Sequence, residues 1–121
     1  MRKLVALFLI CLPLPAFAEV LDFTKCKTND GKTIADVQSW VKDWRALAKK
    51  KKVEYELRLL VPHADPQMHA GEFFIEGRTP SLETHAKSWQ WWYTDADAAA
   101  SNKQLNGTAT CDIGAVYRST D

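Results

Sequence analysis

Two cysteines, Cys26 and Cys111, stand near opposite ends of the chain and constrain its fold more than any other feature. The third, Cys11, belongs to an N-terminal segment in which Arg2 and Lys3 precede an apolar run over 4–12 and the small-x-small sequence Ala16-Phe17-Ala18. That succession is the mark of a secretory signal peptide. Residues 1–18 are therefore expected to be cleaved, and residues 19–121 to form one domain of about 100 residues. Ile10 before Cys11 argues against lipid attachment there, because modified cysteines usually follow a small residue. An exported chain left with one pair of cysteines reads as carrying one disulfide, in the periplasm or secreted. The closed loop would hold about 86 residues, which loop-entropy arithmetic makes worth roughly 4 to 5 kcal/mol. A redox or metal-binding thiol pair has no C-x-x-C and no neighbouring ligand to support it.

Charge and hydropathy exclude two broad classes. The formal net charge is +1 and stays near zero without Arg2 and Lys3, which speaks against general nucleic-acid binding through counterion release. No apolar run reaches the roughly 20 residues of a membrane span, so the mature chain is expected to have none.

The pattern along residues 19–121 reads as alternating strands and helices. Leu21 and Phe23 alternate with Asp22 and Thr24 in a first strand over 19–25, and Asn29-Asp30-Gly31 signals a turn. Thr33 with Asp36 suggests a capping box. Ile34, Val37, Val41, Trp44 and Ala48 then recur at helical spacing, flanked by Trp40 and Leu47, which predicts a helix over 34–50. The run Lys49 to Lys52 suits the negative end of that helix and reads as a solvated cap. Val53, Tyr55, Leu57, Leu59 and Val61 alternate with charged residues and give the strongest strand signal. Pro62 and Pro66 bracket a loop over 63–70, and a further strand follows over 72–77 around Phe73, Phe74 and Ile75. Thr79-Pro80 reads as a helix start, with Thr79 the cap. The next helix is expected to bury Leu82, Ala86, Trp89, Tyr93, Ala96 and Ala100, to break near Thr94-Asp95 and to end at Asn106-Gly107. A last strand runs over 108–120, with Ile113, Val116 and Tyr117.

The order β-α-β-β-α-β is the split βαβ of ferredoxin-like α+β folds, a four-stranded antiparallel sheet with two helices on one face. In that topology the first and last strands are neighbours, so the end of the first, at Cys26, meets the start of the last, at Cys111. Disulfide and topology predict each other. Cys26 is out of phase with Leu21 and Phe23, which calls for a bulge or strand end near Lys25.

Cys26, Asp30-Gly31-Lys32-Thr33, Trp40 and Trp44, Tyr55, the strand end 59–62, 77–80, Trp89 and Trp92, and finally Cys111 form a pattern along nearly the whole mature chain. This pattern resembles small exported proteins of the dimeric α/β-barrel, ferredoxin-like superfamily, whose nearest such members are uncharacterised. The superfamily includes cofactor-free monooxygenases, haem-binding enzymes and plain ligand-binding modules. The resemblance implies a fold and carries no catalytic signature.

Four groups of residues are candidates for chemistry. His63, Asp65, Met68 and His69 lie in one loop and could gather a metal such as copper, but the spacing fits a polar connection better. His85, four residues before Trp89 and seven before Trp92, is a candidate base or axial ligand facing a pocket between helix and sheet, with Tyr55, Trp89 and Trp92 as further pocket candidates. Trp40, Trp44, Trp89 and Trp92 fit core packing, with an aromatic-lined cavity as the alternative. Trp91 falls on the far side of its helix and is expected to point outward, toward a partner, a pocket edge or a helix break. Glu54, Glu56 and Arg58, with Glu72, Phe74 and Glu76, read as the open face of the sheet, joined by Leu60 and Val116.

The first reading is an exported module that binds a small molecule or a partner protein, as a homodimer through that open face. The second is a small dimeric-barrel enzyme, a cofactor-free or haem- or metal-dependent oxidoreductase using His85 or the His63/His69 loop. The residues call for no cofactor and leave haem and copper open.

Overall fold

The first helix, α1 (Ile34–Lys50), begins and ends where its sequence dictates in the computed structural model, which describes residues 18–112 and 114–120. Residues 1–17 of the expected signal peptide, and Ile113, lie outside the described residues. The capping box forms: the Thr33 N–H donates to Asp36 Oδ2 at 2.7 Å, and the Asp36 N–H to Thr33 Oγ1 at 3.4 Å. Val37, Trp40, Val41, Trp44 and Ala48 are the buried residues of this helix, the stripe expected from their spacing. The lysine run departs from a purely solvated cap. Lys51 Nζ lies 2.9 Å from both Asp95 and Asp97 carboxylates, tying the end of α1 to the next helical layer.

The sheet is antiparallel, built from β1 (Val20–Thr28), β2 (Glu56–Leu60), β3 (Glu72–Thr79) and a last strand in two pieces, β4 (Ala109–Cys111) and β5 (Ala115–Arg118). Its order is β2-β3-β1-β4, with β5 also on β1. This is the ferredoxin-like arrangement, with the last strand divided. At the β2 edge, Arg45 of α1 donates to the Leu57 carbonyl at 2.8 Å.

Cys26 and Cys111 are register partners and form the expected disulfide, with their Cα atoms 4.0 Å apart. The bulge expected near Lys25 is elsewhere. Val20, Asp22 and Cys26 are the buried side of β1, so Cys26 is in phase and Leu21 and Phe23 face the other way. The extra residue sits in the last strand, since the β1–β4 and β1–β5 ladders are offset by one position. A one-residue slip exchanges the two faces. Val116 therefore pairs with Asp22, on the helix side, and Tyr117 with Leu21 on the open face. That corrects the placement of Val116.

The second half of the chain departs most from expectation. Thr79 is a buried residue of β3, and the cap is Ser81, whose hydroxyl accepts from the Thr84 N–H at 3.1 Å. The helix α2 (Leu82–Thr94) stops where predicted. Asp95 then caps α3 (Ala96–Thr108), accepting from the Asp97 and Ala98 N–H groups, so Gly107 lies inside a helix rather than ending one. The apolar stripe of α2 is displaced. Leu82 and Tyr93 are 61 % and 74 % exposed, while His85 and Ser88 are buried and Trp91 and Trp92 pack against the core. The helices lie on one face of the sheet, and Trp40 joins α1 to α3 by donating to the Ser101 carbonyl at 3.0 Å and its hydroxyl at 3.1 Å.

Candidate functional site

All five tryptophans border one cavity of about 170 Å³ between the helices and the sheet. Trp40 and Trp44 come from α1, and Trp89, Trp91 and Trp92 from α2. Leu105, Asn102 and Asn106 of α3 close another side. The sheet contributes Thr24, Leu57, Ile75 and the disulfide half Cys111, with Val53 and Tyr55 from the approach to β2. Among the described residues, no charged side chain lines it.

Trp91 is the residue most misjudged by helical geometry. It is half-buried rather than outward, its ring edge-to-face with Trp44 at 6.3 Å and tilted against Trp92 at 6.1 Å. A pocket edge and a helix break, two of the three explanations an outward Trp91 called for, are both present, since α2 ends at Thr94.

Beside the cavity lies a buried polar cluster centred on Asp22, only 3 % exposed. Its Oδ1 accepts from the Tyr55 hydroxyl at 2.7 Å, and its Oδ2 from Trp89 Nε1 at 3.3 Å. His85 Nδ1 is 3.5 Å from Asp22 Oδ2, near enough for attraction but not aligned as a hydrogen bond. Burial first, and then the Asp22 charge and the bond to it, hold the Tyr55 phenol well above its ordinary range. Tyr55 is thus a fixed donor. Gly77 makes this geometry feasible: it pairs with Asp22 on one side and Leu57 on the other, and a Cβ there would fall onto the Tyr55 hydroxyl.

Of the pocket residues expected from sequence, Tyr55, Trp89 and Trp92 line the cavity, whereas His85 stands behind it against Asp22. Asp22 and Gly77 were not legible as site residues. Asp22 alternates with Leu21 and Phe23, the pattern of a polar outer face, and nothing local to Gly77 marks a close approach. The His63-to-His69 loop joins β2 to β3 with His63, Asp65 and His69 exposed. Its polar groups serve local turns: Asp65 accepts from the Gln67 N–H, and Glu72 from the His69 N–H. Among the described residues, no group of three or more His, Cys, Asp or Glu is placed to hold a metal ion.

The open face of the sheet carries Glu56, Arg58 and Leu60 beside Phe74, Glu76 and Arg78, followed by Leu21, Phe23 and Tyr117. Phe23 and Tyr117 meet edge-to-face at 5.7 Å. Glu54 lies outside β2.

No protein family matches the chain, and no curated protein is similar to it in sequence. Solved structures share its fold. SnoaB, a cofactor-independent oxygenase from Streptomyces nogalater, is 10 % identical at a TM-score of 0.61, over 86 % of this chain and 95 % of that one. An uncharacterised NIPSNAP-like domain protein from Burkholderia xenovorans is 7 % identical at 0.60, over 87 % and 86 %. Hydroxynitrile lyase from Passiflora edulis is 11 % identical at 0.59, over 87 % and 96 %. The chain shares its ferredoxin-like fold with these proteins, and they differ in what they do.

Proposed function

We propose that this chain is an exported module that binds a small, mainly apolar molecule in the tryptophan-lined cavity. The convergence of all five tryptophans on one space carries the reading. Core packing alone gives no reason for them to surround a void. For scale, an apolar cavity of about 150 Å³ engineered in another protein takes up benzene. A ligand of one or two fused rings suits the 170 Å³ here. Indane is a suitable probe, and calorimetry should detect its binding to the oxidised protein. Ser88→Leu, which fills the cavity from α2, should abolish that binding while the fold persists. No binding to the unsubstituted protein, or undiminished binding to the variant, would overturn the reading.

The context we propose is a leader over 1–18 and a single domain over 19–121, delivered to the periplasm or secreted. A disulfide is consistent with that route. The same proposal includes a homodimer through the open face. Leu21, Phe23, Leu60 and Phe74 are half-buried there among charges of both signs, a surface that can complement itself across a two-fold axis.

A second reading, a small enzyme, is favoured by the buried Asp22 and His85 contact behind Tyr55 and Trp89. Two fold neighbours, SnoaB and the hydroxynitrile lyase, bear enzyme names. Binding is preferred because neither Asp22 nor His85 lines the cavity. Deuterium uptake at the acidic carbon of 1-indanone in heavy water, lost in Asp22→Asn, would favour the enzyme. Uptake at the solvent rate would leave binding as the function.

A further inference from the structure

We infer, building on the ligand-binding reading, that the ligand carries a neutral amide-like group, donor beside acceptor, and that the Asn102 carboxamide at the rim of the cavity recognises it. Asn102, Leu105 and Asn106 of α3 all border the cavity, while Lys103 and Gln104 between them are exposed and do not. That i, i+3, i+4 spacing puts the three side chains on one helix face, turned toward the cavity. Of the described lining residues only Asn106 is exposed, so this face of α3 forms the rim.

Other polar groups of the lining residues are committed within the chain. The Tyr55 hydroxyl and Trp89 Nε1 donate to Asp22, Trp40 Nε1 to Ser101, and the Ser88 hydroxyl to the Thr84 carbonyl at 2.9 Å. Trp91 Nε1 is enclosed by protein and out of a ligand's reach. Asn102 differs on both counts. Its carboxamide has no hydrogen-bond partner among the described residues, and the side chain is half-buried without its polar atoms being enclosed. Stability does not account for this choice. Asn is a poor helix former, because its side chain competes for backbone hydrogen bonds, and this one stands in the middle of α3. An apolar residue there would extend the contact made by Leu105. Breaches of local preference of this kind concentrate at functional sites.

The backbone that carries Asn102 is held on both sides. The preceding residue, Ser101, accepts from Trp40 Nε1 through its carbonyl at 3.0 Å and its hydroxyl at 3.1 Å. The Asn106 carbonyl accepts from Asn29 Nδ2 at 2.9 Å, which pins the end of α3 to the turn after β1. A recognition group on a fixed backbone loses little freedom when it engages. A carboxamide presents an N–H donor and a carbonyl acceptor side by side, and a second amide satisfies both at once. Among the described residues no Lys, Arg, His, Asp or Glu borders the cavity, so an ionised head group would lose hydration without gaining a counter-charge.

Three probes of similar shape test this on the oxidised protein by calorimetry: indane, the cyclic amide oxindole, and indane-1-carboxylate. Asn102→Leu, which keeps the branching at Cγ and removes both polar atoms, should cut the ratio of oxindole to indane affinity roughly tenfold, the net value of about one hydrogen bond. Indane binding should persist in the variant, and the carboxylate should bind weakest to the unsubstituted protein. The side-chain amide resonances of Asn102 in a ¹H–¹⁵N spectrum of the unsubstituted protein supply an arm that needs no substitution. They should move downfield with oxindole beyond any shift that indane causes. An unchanged affinity ratio in Asn102→Leu, or amide resonances that respond alike to both probes, would overturn the role of Asn102 and leave the cavity reading standing. Tightest binding by the carboxylate would overturn the neutral class. No binding by any probe would overturn the cavity reading and the recognition by Asn102 with it.

Discussion

The Tyr55 hydroxyl reaches across Gly77 to donate to Asp22 at 2.7 Å, joining the approach to β2 with β1 over the strand that separates them. The contact buries a carboxylate and fixes a phenol as its donor, at the wall of the cavity. Asp22→Ala strands two buried donors, the Tyr55 hydroxyl and Trp89 Nε1. It should cost about 1 to 3 kcal/mol for each, read by denaturant unfolding. A loss under about 1 kcal/mol would mean that water replaces the carboxylate without penalty.

The same contact gives stability a dependence on pH. The Tyr55 phenol is held above its ordinary value of 10.0, by burial first and then by Asp22. A raised value in the folded state means stability that is whole below the unfolded value and is lost as pH climbs past it. Unfolding free energy should therefore fall above about pH 10, and Tyr55→Phe should flatten that fall. An identical alkaline slope in the two proteins would contradict the burial of this hydroxyl.

Gly77→Ala tests the close approach itself. Its Cβ has no room beneath the Tyr55 ring, so the ring must move or the strands must part. Overpacking of this kind costs about 1 to 3 kcal/mol. The variant should lose affinity for indane as well as stability. Unchanged melting and binding would show that Tyr55 does not rest on Gly77.

Much of the fold was legible because several local signals agreed. The Thr33–Asp36 box, the stripe through Val37, Val41 and Trp44, and the pairing of Cys26 with Cys111 each pointed to the same arrangement. The site was less legible for a physical reason. Both faces of β1 carry half-buried or buried residues, so hydrophobicity did not mark which face meets the helices, and Leu21 and Phe23 took the place of Val20 and Asp22. The one-residue offset in the last strand then reversed Val116 and Tyr117. On α2, Leu82 and Tyr93 are apolar but exposed, whereas His85 and Ser88 are polar but buried, because they face Asp22 and the cavity instead of a packed core.

Trp44 is the buried centre of the α1 stripe and touches both Tyr55 and Trp91 edge-to-face. Trp44→Ala should cost about 3 to 5 kcal/mol. Melting within a degree or two of the unsubstituted protein would contradict the packing of α1 on the sheet.

The Cys26–Cys111 bridge closes a loop with a sequence separation of 85. Reduction should lower stability by up to roughly 4 to 5 kcal/mol. Thiol titration of the unfolded, unreduced protein should find none free in residues 19–121. Two free thiols would contradict the bridge and the strand pairing it supports.

Self-association is read by sedimentation equilibrium. The open face should give a dimer that Phe23→Lys disrupts, because the new charge stands beside Tyr117 at the centre of the apolar part. A clean monomer at tens of micromolar would leave that face without a second copy.

The central claim, a ligand cavity between helices and sheet, is tested most directly by mapping indane onto the protein in a ¹H–¹⁵N spectrum. The account predicts shifts concentrated on the backbone of Thr24, Leu57, Ser88, Trp92 and Asn102, which border the cavity. An unperturbed spectrum, or shifts confined to Phe23, Phe74 and Tyr117 on the open face, would contradict it.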